Sequence, residues 1–587
     1  MDDTRTLAFV GRQETVDRLP PGARIVPMRP TLVIPTDRLL APRPEALLDA
    51  EDCAVIDDRA LRFASEWPLL PLTAEAFTWK GVNLAGCFGY ELKIVARDVF
   101  KTAHVLANAL EGFPAARIVT DTFPEELPFP PYPYMHAIGS LSEALAKAAG
   151  IPFQALAPNA YARRAHSRGR VSRVYGRVAA RRAMSVLDRA SSRLIIAIGP
   201  HPEFYVPLAA SWQRTGGAMI VVTPASAPIR ADAQRGLHLL PAEAFLGPDD
   251  GPEIRRYVGR AQASLERPDA SRPEIGMVGV SGTLHRHLLA RIRQELPVLA
   301  ALGLGFERGL DRPEHVVLVE TGSPLAKATV RYARARGRSL TVLQHGVLAG
   351  VFGYAETEAD RVAAWGSTDA EWFRAHLGPD VRVAPTGCPR YDAMVGARAE
   401  ARSSRPQRSG RAAVVLFASQ PFVQDRASRS PWDRSGILEA VLTCVGRIPG
   451  CRLVVKWHPS EPTQDLPNRE LDAEARKLHR SRTIPLLRRA DVVLAISSTV
   501  AVEAMLLDRP VLFLGPQDPD SPFHPPEDGG GLRAADLTAL EAGLRSVLHD
   551  PAFRDRLILQ QREFLARRYA PADGRAAERV VTLLQES

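Results

Sequence analysis

The sequence predicts an α/β protein with parallel sheets, divided into several domains. Its 587 residues exceed what a single hydrophobic core normally organises. Hydrophobic residues make up 45% and charged residues 24% of the chain, which is the balance of a globular protein with a large core. From residue 191 onward, short apolar runs alternate with helical patterns, a rhythm that is typical of βαβ units.

Residues 1–160 are predicted to form an accessory mixed α/β module. Strand-like runs such as LAFVG (7–11) and ARIVTDT (116–122) precede a helix-like run, LSEALAKAAG (141–150). The residue types in these runs indicate no particular catalytic or binding chemistry for this module.

A basic helical linker is predicted over 161–190. Residues 161–182 hold eight arginines and no acidic residue, with apolar residues at helical spacing. Such a helix could dock on anionic lipid, where each basic residue contributes about 1 kcal/mol, or on a polyanionic acceptor, or it is a solvated linker. Nucleic acid is disfavoured as a partner, because only Tyr161 and Tyr175 offer base-stacking rings within this stretch.

Cysteine usage and hydropathy predict a cytoplasmic protein, in contact at most with a membrane surface. The five cysteines are scattered and form no C-x-x-C pair, which disfavours a disulfide framework or a zinc site. No run approaches the roughly 20 apolar residues of a membrane span, and the first residues have no apolar core of signal-peptide length. The net charge of +9 points to anionic partners, although an arginine-rich composition alone would also produce it.

Two Rossmann-like domains are predicted after the linker, over 191–400 and 411–587. In the first, the predicted strands are RLIIAIG, AMIVVT, EIGMVGV, HVVLVETGS and SLTVLQHG, with helices around EFYVPLAASWQ and from Pro324 to Arg336. The linker-like stretch at 397–411 separates the domains. In the second, the strands are AAVVLFAS, RLVVKWHP, DVVLAISS and PVLFLGP, and the chain is helical from about 536 onward.

The turn after DVVLAISS is the strongest candidate for a nucleotide site. Ser497 and Ser498 form the turn, and a helix is predicted to begin at Thr499, where backbone N–H groups and the helix dipole favour a phosphate. Glu503 lies one turn into this helix, where a carboxylate can accept both hydroxyls of a ribose. Ser498 could equally be only an N-cap.

Other polar residues follow neighbouring strands of the same domain. His458 comes at the end of RLVVKWHP and can donate to a phosphate oxygen. Lys456 lies beside it, facing either the cleft or the surface. Ser419 and Gln420 close the domain's first strand, as further phosphate contacts or as a plain polar turn.

The preceding domain carries the candidates for acid and base chemistry. His345 follows a strand and is well placed to remove a proton, with Gln344 and Gly346 on either side. Glu320 is the alternative base, because a carboxylate between two domains can have a raised pKa, or it is an acid at a helix start. Gly322 and Ser323 complete its turn, and these loop residues would line the cleft on the acceptor side.

The order ETGS, QHG, ADRVAAWGS, VAPTGCPRYDAM, KWHP and AISSTVAVEAM resembles the GT-B superfamily of bacterial surface-polysaccharide synthesis. It is similar in particular to capsular polysaccharide transferases, CDP-glycerol glycerophosphotransferases and bacterial sialyltransferases that pair a His-Pro with a Ser-Ser motif. UDP-N-acetylglucosamine 2-epimerases share the framework. The resemblance covers roughly residues 190–587 and implies two Rossmann-like domains that face a cleft.

The resemblance also implies roles for individual residues. His458 and the turn from Ser497 to Thr499 fall where such families hold the donor's phosphate, and Glu503 where the ribose is bound. His345 falls where the CDP-glycerol enzymes have a catalytic His-Gly. Ala495 and Ile496 replace a Thr-Asp-Tyr pattern of those enzymes, and Thr499 and Val500 replace two glycines of the epimerases.

These observations together predict a glycosyltransferase that moves a sugar from a nucleotide donor to a glycan or lipid-linked acceptor. His345 or Glu320 would take the acceptor proton, and the scheme demands no metal and no cofactor. The alternatives are glycerophosphate transfer, sugar 2-epimerisation, and a non-catalytic nucleotide-binding scaffold of envelope polysaccharide assembly.

Overall fold

A computed structural model of the chain describes most of its residues. The described ranges are 5–28, 34–35, 38–42, 44–121, 137–156, 181–189, 193–199, 201–224, 232–266, 279–348, 357–396, 412–419, 434–457, 483–515, 523–569 and 571–586. The predicted basic linker therefore lies outside the described residues up to 180, and Arg181 and Arg182 are exposed on a short helical stretch. No helix within these ranges combines the length and the apolar character needed to cross a membrane.

The described residues form three parallel sheets flanked by helices, which confirms the predicted α/β class. The first sheet has five strands, in the order β3-β2-β1-β6-β7. Its strands are β1 (Thr6–Val10), β2 (Arg24–Pro27), β3 (Leu39–Leu40), β6 (Arg117–Thr120) and β7 (Phe153–Ala155), and a small antiparallel pair is formed by β4 (Thr78–Trp79) and β5 (Val82–Asn83). The helices of this region are α1 (Gln13–Val16), α2 (Ala50–Glu66), α3 (Pro71–Ala76), α4 (Gly89–Gly112) and α5 (Ile138–Ala149).

The second sheet has seven strands, in the order β10-β9-β8-β11-β12-β13-β14. They are β8 (Leu194–Ile198), β9 (Ala218–Thr223), β10 (Leu237–Pro241), β11 (His315–Leu318), β12 (Ser339–Leu343), β13 (Arg361–Ala364) and β14 (Arg382–Pro385). Its helices are α6 (Pro202–Gln213), α7 (Asp250–Leu265), α8 (Val280–Arg308), α9 (Pro324–Arg334), α10 (Ser367–His376) and α11 (Asp392–Gly396). The central strands are apolar and buried along their length, as expected of a parallel sheet covered on both faces.

One predicted strand of this domain is wrong at its end, and seven elements were not predicted. Val280, the last residue of EIGMVGV, begins helix α8, while residues 274–278 lie outside the described ranges. The apolar run was too short to distinguish a strand from a buried helix start. The unpredicted elements are strands β10, β13 and β14 and helices α7, α8, α10 and α11.

The third sheet has five strands, in the order β16-β15-β17-β18-β19. They are β15 (Ala413–Ala418), β16 (Cys451–Lys456), β17 (Val492–Ala495), β18 (Val511–Leu514) and β19 (Leu532–Ala534). The helices are α12 (Arg434–Gly446), α13 (Thr483–Arg489), α14 (Thr499–Leu506), α15 (Leu537–His549), α16 (Pro551–Arg568) and α17 (Ala576–Gln585). The predicted strands and the helical end of the chain are confirmed here.

The N-terminal module shares a continuous hydrophobic core with the second sheet and its helices. Its α4 contributes Glu91, which accepts from Arg291 Nε and Nη2 at 2.6 and 2.9 Å. His287 Nε2 lies 3.2 Å from the same carboxylate. All three side chains are buried between α4 and α8, so this charged cluster joins the module to the domain that follows it.

The last two helices return to the middle domain. Asp392 accepts from the backbone nitrogens of Ala576 and Ala577 at 2.9 Å each, and thereby caps α17. Arg568, at the end of α16, donates to Asp369 Oδ1 at 3.0 Å, and Asp369 is fully buried. The second and third sheets are therefore tied together by the end of the chain as well as across the cleft. The domain boundaries given above remain a prediction.

His315 is predicted to make the fold acid-sensitive. Its ring is buried at the start of β11, and neither nitrogen has a hydrogen-bond partner among the described residues. Burial, with a contribution from Arg361, lowers its pKa from 6.5 to about 4. Between these two pKa values the unfolded chain binds a proton at His315 that the folded chain does not bind. The free energy of unfolding therefore falls by about 3 kcal/mol as the pH drops from 6.5 to about 4.

Urea unfolding of the wild type and of His315→Leu, at several pH values between neutral and acidic, checks this expectation. The leucine variant should lose stability less steeply on acidification, because it has no group to titrate at this position. His549→Leu, at an exposed histidine on α15, is the matched control and should follow the wild type. Parallel pH profiles for the wild type and His315→Leu would contradict the expectation.

Candidate functional site

The carboxyl edges of β8, β11 and β12 bring three chain segments together. Ile198 pairs with Leu318 across β8 and β11, and Leu318 pairs with Val342 across β11 and β12. The loops that follow these strands therefore start at the same level. The chain adds β9 and β10 on one side of β8 and then adds β11 on the other side, so the order of the strands reverses between β8 and β11. Open α/β sheets bind ligands at such a switch point.

His345 lies two residues beyond β12 at this edge. Its Nδ1 is 2.8 Å from the carbonyl oxygen of Val319, and because a carbonyl can only accept, Nδ1 carries the proton. Burial lowers the pKa of His345, against the opposing effect of Glu320. The ring is therefore neutral near neutral pH, and its Nε2 has the lone pair of a base.

Glu320 is held by the start of helix α9. Its carboxylate accepts from the backbone nitrogens of Gly322 and Ser323 at 2.7 Å each, and from the hydroxyl of Ser323. Ser323 is in turn the N-cap of α9 and accepts from Ala326 N at 3.2 Å. With three donors on its carboxylate, Glu320 has the contacts of an acid at a helix start. Its role as a base stays a prediction.

Gly322 makes this turn a contact point with the N-terminal module. A β-carbon placed on Gly322 would lie 2.8 Å from the ring of Tyr90, which belongs to α4. Only glycine allows the aromatic ring this close to the backbone. The N-terminal module therefore supports the loop that holds Glu320.

Gln344 supports the site from the interior and does not face the cleft. Only 1% of its surface is exposed. Its Nε2 donates to Gly346 O at 3.0 Å and to Asp369 Oδ2 at 2.7 Å, and its Oε1 accepts from Trp365 N at 2.8 Å. This network fixes the path of the chain through the His345–Gly346 loop.

Two residues at this edge were missed from the sequence. His201 and Glu203 follow β8, and the charge of Glu320 acts on His201 while that of Glu203 acts on both His201 and His345. Burial lowers the pKa of His201, and the two carboxylates oppose this. The signal that could have found them is the loop GPHPE directly after an apolar strand, since a strand end of this kind positions polar groups for a ligand.

The edge of the third sheet carries the predicted nucleotide residues. Its switch point lies between β15 and β17, so Ser419 and the turn at Ser497 and Ser498 flank it. Ser498 is the N-cap of α14, and its hydroxyl accepts from Val500 N at 3.2 Å. The capping role considered for Ser498 is thus present, and Ala501 N donates to Ser498 O at 2.9 Å within the same first turn.

The two edges face each other at Gly346 and Thr499. A β-carbon placed on Gly346 would lie 3.6 Å from Thr499 Oγ1, so the loop of His345 and the N-terminus of α14 are in contact range. The structure therefore brings a neutral imidazole and a helix N-terminus to the same cleft.

Glu503 is completely buried on α14 and forms an ion pair with Arg390 of the middle domain. Apart from this ion pair, neither carboxylate oxygen has a hydrogen-bond partner among the described residues. Burial raises the pKa of Glu503, although Arg390 acts against this. Arg390 follows the Gly-Cys-Pro turn after β14, and the sequence had assigned it no role because its partner is 113 positions away along the chain.

The remaining predicted donor residues divide between described and undescribed positions. Lys456 Nζ donates to Trp457 O at 3.1 Å, and its charge acts on Glu503. His458 and Gln420 lie outside the described residues. Within the described ranges, no group of three or more His, Cys, Asp or Glu side chains is arranged to hold a metal ion.

Comparison with solved structures found similarity to the wall teichoic acid polymerase TagF, at 10% identity and a TM-score of 0.40, covering 71% of this chain and 93% of that one. The calicheamicin glycosyltransferase CalG4 matches at 15% identity and a TM-score of 0.39, covering 68% and 99%. A UDP-N-acetylglucosamine 2-epimerase matches at 14% identity and a TM-score of 0.37, covering 67% and 95%. No protein-family profile and no curated protein matches the chain. These similarities are at low identity and concern the fold alone.

Proposed function

We propose that the protein is a nucleotide-sugar-dependent glycosyltransferase that acts in the cleft between its second and third sheets. The observation that carries this proposal is the contact of the His345–Gly346 loop with the N-terminus of α14 at Thr499. A base and an anion-binding helix end on opposite sides of one cleft suit a reaction in which a hydroxyl loses a proton while a phosphate departs.

In this proposal the third sheet binds the donor. The diphosphate lies at the first turn of α14, where the helix dipole and the hydroxyls of the Ser497–Thr499 turn meet its charge. His458, which lies outside the described residues, is assigned to the same phosphate from the sequence. Apart from the ion pair with Arg390, the carboxylate oxygens of Glu503 have no hydrogen-bond partner among the described residues, and a carboxylate can accept both hydroxyls of a ribose. Ser419 and Lys456 follow or end strands at the same edge, and Gln420, which lies outside the described residues, is assigned to it from the sequence alone.

The second sheet binds the acceptor and supplies the base. His345 Nε2 takes the proton of the attacking hydroxyl, whose oxygen forms a bond to the anomeric carbon of the sugar. The bond from that carbon to the diphosphate breaks, and the helix N-terminus stabilises the departing nucleotide. Glu320 acts on His345 through its charge and stabilises the imidazolium that forms.

Ligand-induced stabilisation tests the donor site. Among CMP, CDP, UDP, GDP and their sugar conjugates, one base should raise the melting temperature, by an amount equivalent to about 2.7 kcal/mol at 100 times the dissociation constant. Ser498→Ala should shrink this shift, because the hydroxyl at the first turn of α14 is lost. Product analysis with the stabilising conjugate then separates glycosyl transfer from glycerophosphate transfer and from epimerisation.

The control has to separate loss of a ligand contact from loss of an N-cap. Asp536→Ala removes the cap of α15, where the carboxylate accepts from Ala539 N at 2.7 Å, and it should leave the ligand-induced shift unchanged. Both substitutions should cost about 1 kcal/mol of stability without ligand. If no nucleotide stabilises the wild type, the donor site is refuted, and a scaffold without nucleotide chemistry becomes the better account.

A further inference from the structure

The crevice at the switch point of the second sheet has a distinct chemical character. We define this switch-point crevice by His201 and Glu203 on the β8 side, and by Glu320 and His345 on the side of β11 and β12. The loops start at the same sheet edge because β8 and β12 both pair with β11. The switch-point crevice includes the predicted base, His345, and lies on the opposite side of the cleft from the predicted nucleotide residues.

The β8 loop is built so that His201 turns back over the strand end. Gly199 has φ +91°, a conformation that side-chain-bearing residues rarely adopt, and a β-carbon there would lie 3.3 Å from Cδ2 of the His201 ring. The next residue, Pro202, starts α6, and Glu203 stands exposed in its first turn. The loop thus presents an imidazole inside the crevice and a carboxylate at its rim.

The groups in the crevice suit hydroxyls. A neutral imidazole has one N–H donor and one acceptor nitrogen. Because Nδ1 of His345 already donates to Val319 O, His345 offers a hydroxyl its acceptor nitrogen, while His201 can offer a donor or an acceptor. Burial lowers the pKa of both His201 and His345, so both rings are neutral near neutral pH. The carboxylates that act on them, Glu320 and Glu203, are acceptors and attract hydroxyl donors.

The charges in and around the crevice disfavour anions. The negative charges of Glu320 and Glu203 act on His201 and on the buried hydroxyl of Tyr205. The nearby cation, Arg390, forms an ion pair with the buried Glu503, and the charge of Glu203 also acts on it. A phosphate entering here would meet two carboxylates and an arginine whose charge is already balanced.

We propose that the switch-point crevice binds an uncharged, hydroxyl-rich acceptor, a sugar or polyol, and that Glu203 at its rim selects against anionic acceptors. The inference rests on the proposed function and specifies its acceptor side. His201 holds a hydroxyl of the acceptor beside the one that His345 deprotonates, and Glu203 repels a phosphate or carboxylate at a neighbouring position.

Saturation-transfer NMR with methyl glycosides and their 6-phosphates tests this without any donor nucleotide. The wild type should bind one or more of the neutral glycosides and bind the phosphorylated counterpart more weakly. Glu203→Lys should strengthen binding of the 6-phosphate about tenfold, since replacing a repulsion by an attraction near the surface is worth more than 1 kcal/mol. His201→Phe, which keeps a ring but removes both nitrogens, should weaken the neutral glycoside.

Glu371→Lys is the matched control, because Glu371 is an exposed glutamate on α10 away from the crevice, and it should change neither affinity. The proposal is overturned if the 6-phosphate binds the wild type as well as the neutral glycoside does, or if no neutral glycoside binds at millimolar concentration. These outcomes are independent of the nucleotide-induced stabilisation, so failure of the acceptor proposal and failure of the donor site are told apart.

Discussion

His345→Asn is expected to lower kcat by a factor of about 10² to 10⁴, the range that general-base catalysis contributes. The asparagine amide can still donate to the carbonyl of Val319, as Nδ1 of the imidazole does at 2.8 Å, so the loop keeps its anchor. The base is lost while the fold and the nucleotide site remain. Steady-state kinetics with the stabilising nucleotide-sugar conjugate measure the loss.

The pH dependence provides a second readout of the same residue. Because burial lowers the pKa of His345, the ring stays unprotonated to a lower pH than an ordinary histidine. The rate should therefore remain high on acidification and fall only below the usual histidine range, and His345→Asn should lack this inflection. His549→Asn, at an exposed histidine, is the control and should keep both rate and profile. Unchanged kcat in His345→Asn would refute the role of His345 as the base.

Glu91→Ala is expected to destabilise the protein by about 3 kcal/mol, the lower end of the cost of breaking a buried ion pair. The lower end applies because Arg291 keeps an ion pair with Glu295 at 3.0 Å. The variant removes the carboxylate that Arg291 contacts at 2.6 and 2.9 Å, while Arg291 stays buried between α4 and α8. Urea unfolding followed by tryptophan fluorescence should show an earlier transition, since Trp67 and Trp79 lie in the core that these helices share.

The matched control is an exposed ion pair on the same helix. Asp57 and Arg97 join α2 to α4 at 2.6 Å, and Asp57 is 49% exposed. Asp57→Ala should therefore cost no more than about 1 kcal/mol. The double variant Glu91→Leu with Arg291→Met should recover much of the loss, because buried apolar pairs replace buried ion pairs well. Equal effects of Glu91→Ala and Asp57→Ala would show that burial does not govern this cluster.

Much of the site could be predicted from the order of residues along the chain, because the carboxyl ends of parallel strands meet at one edge of the sheet. ETGS and QHG follow two apolar runs, and the structure places Glu320 and His345 at one edge. The roles of the individual residues at that edge were harder to predict. Glu320 and Ser323 are close along the chain, yet only the folded turn shows that the carboxylate takes three donors. Gln344 was expected in the cleft, and its burial against Asp369 depends on a helix that follows another strand.

The α/β class, the strands of the third sheet and the turn at Ser498 follow from local patterns, because apolar runs, turn residues and helix starts are properties of neighbouring residues. The pairing of Arg390 with Glu503, the contact of Gly346 with Thr499 and the presence of His201 beside Glu320 do not. They join residues that lie far apart along the chain, and their proximity depends on how the sheets pack and how α16 and α17 return to the middle domain. Burial sets the protonation of His345 and His315 for the same reason, since desolvation is a property of the packed interior and not of the residue itself.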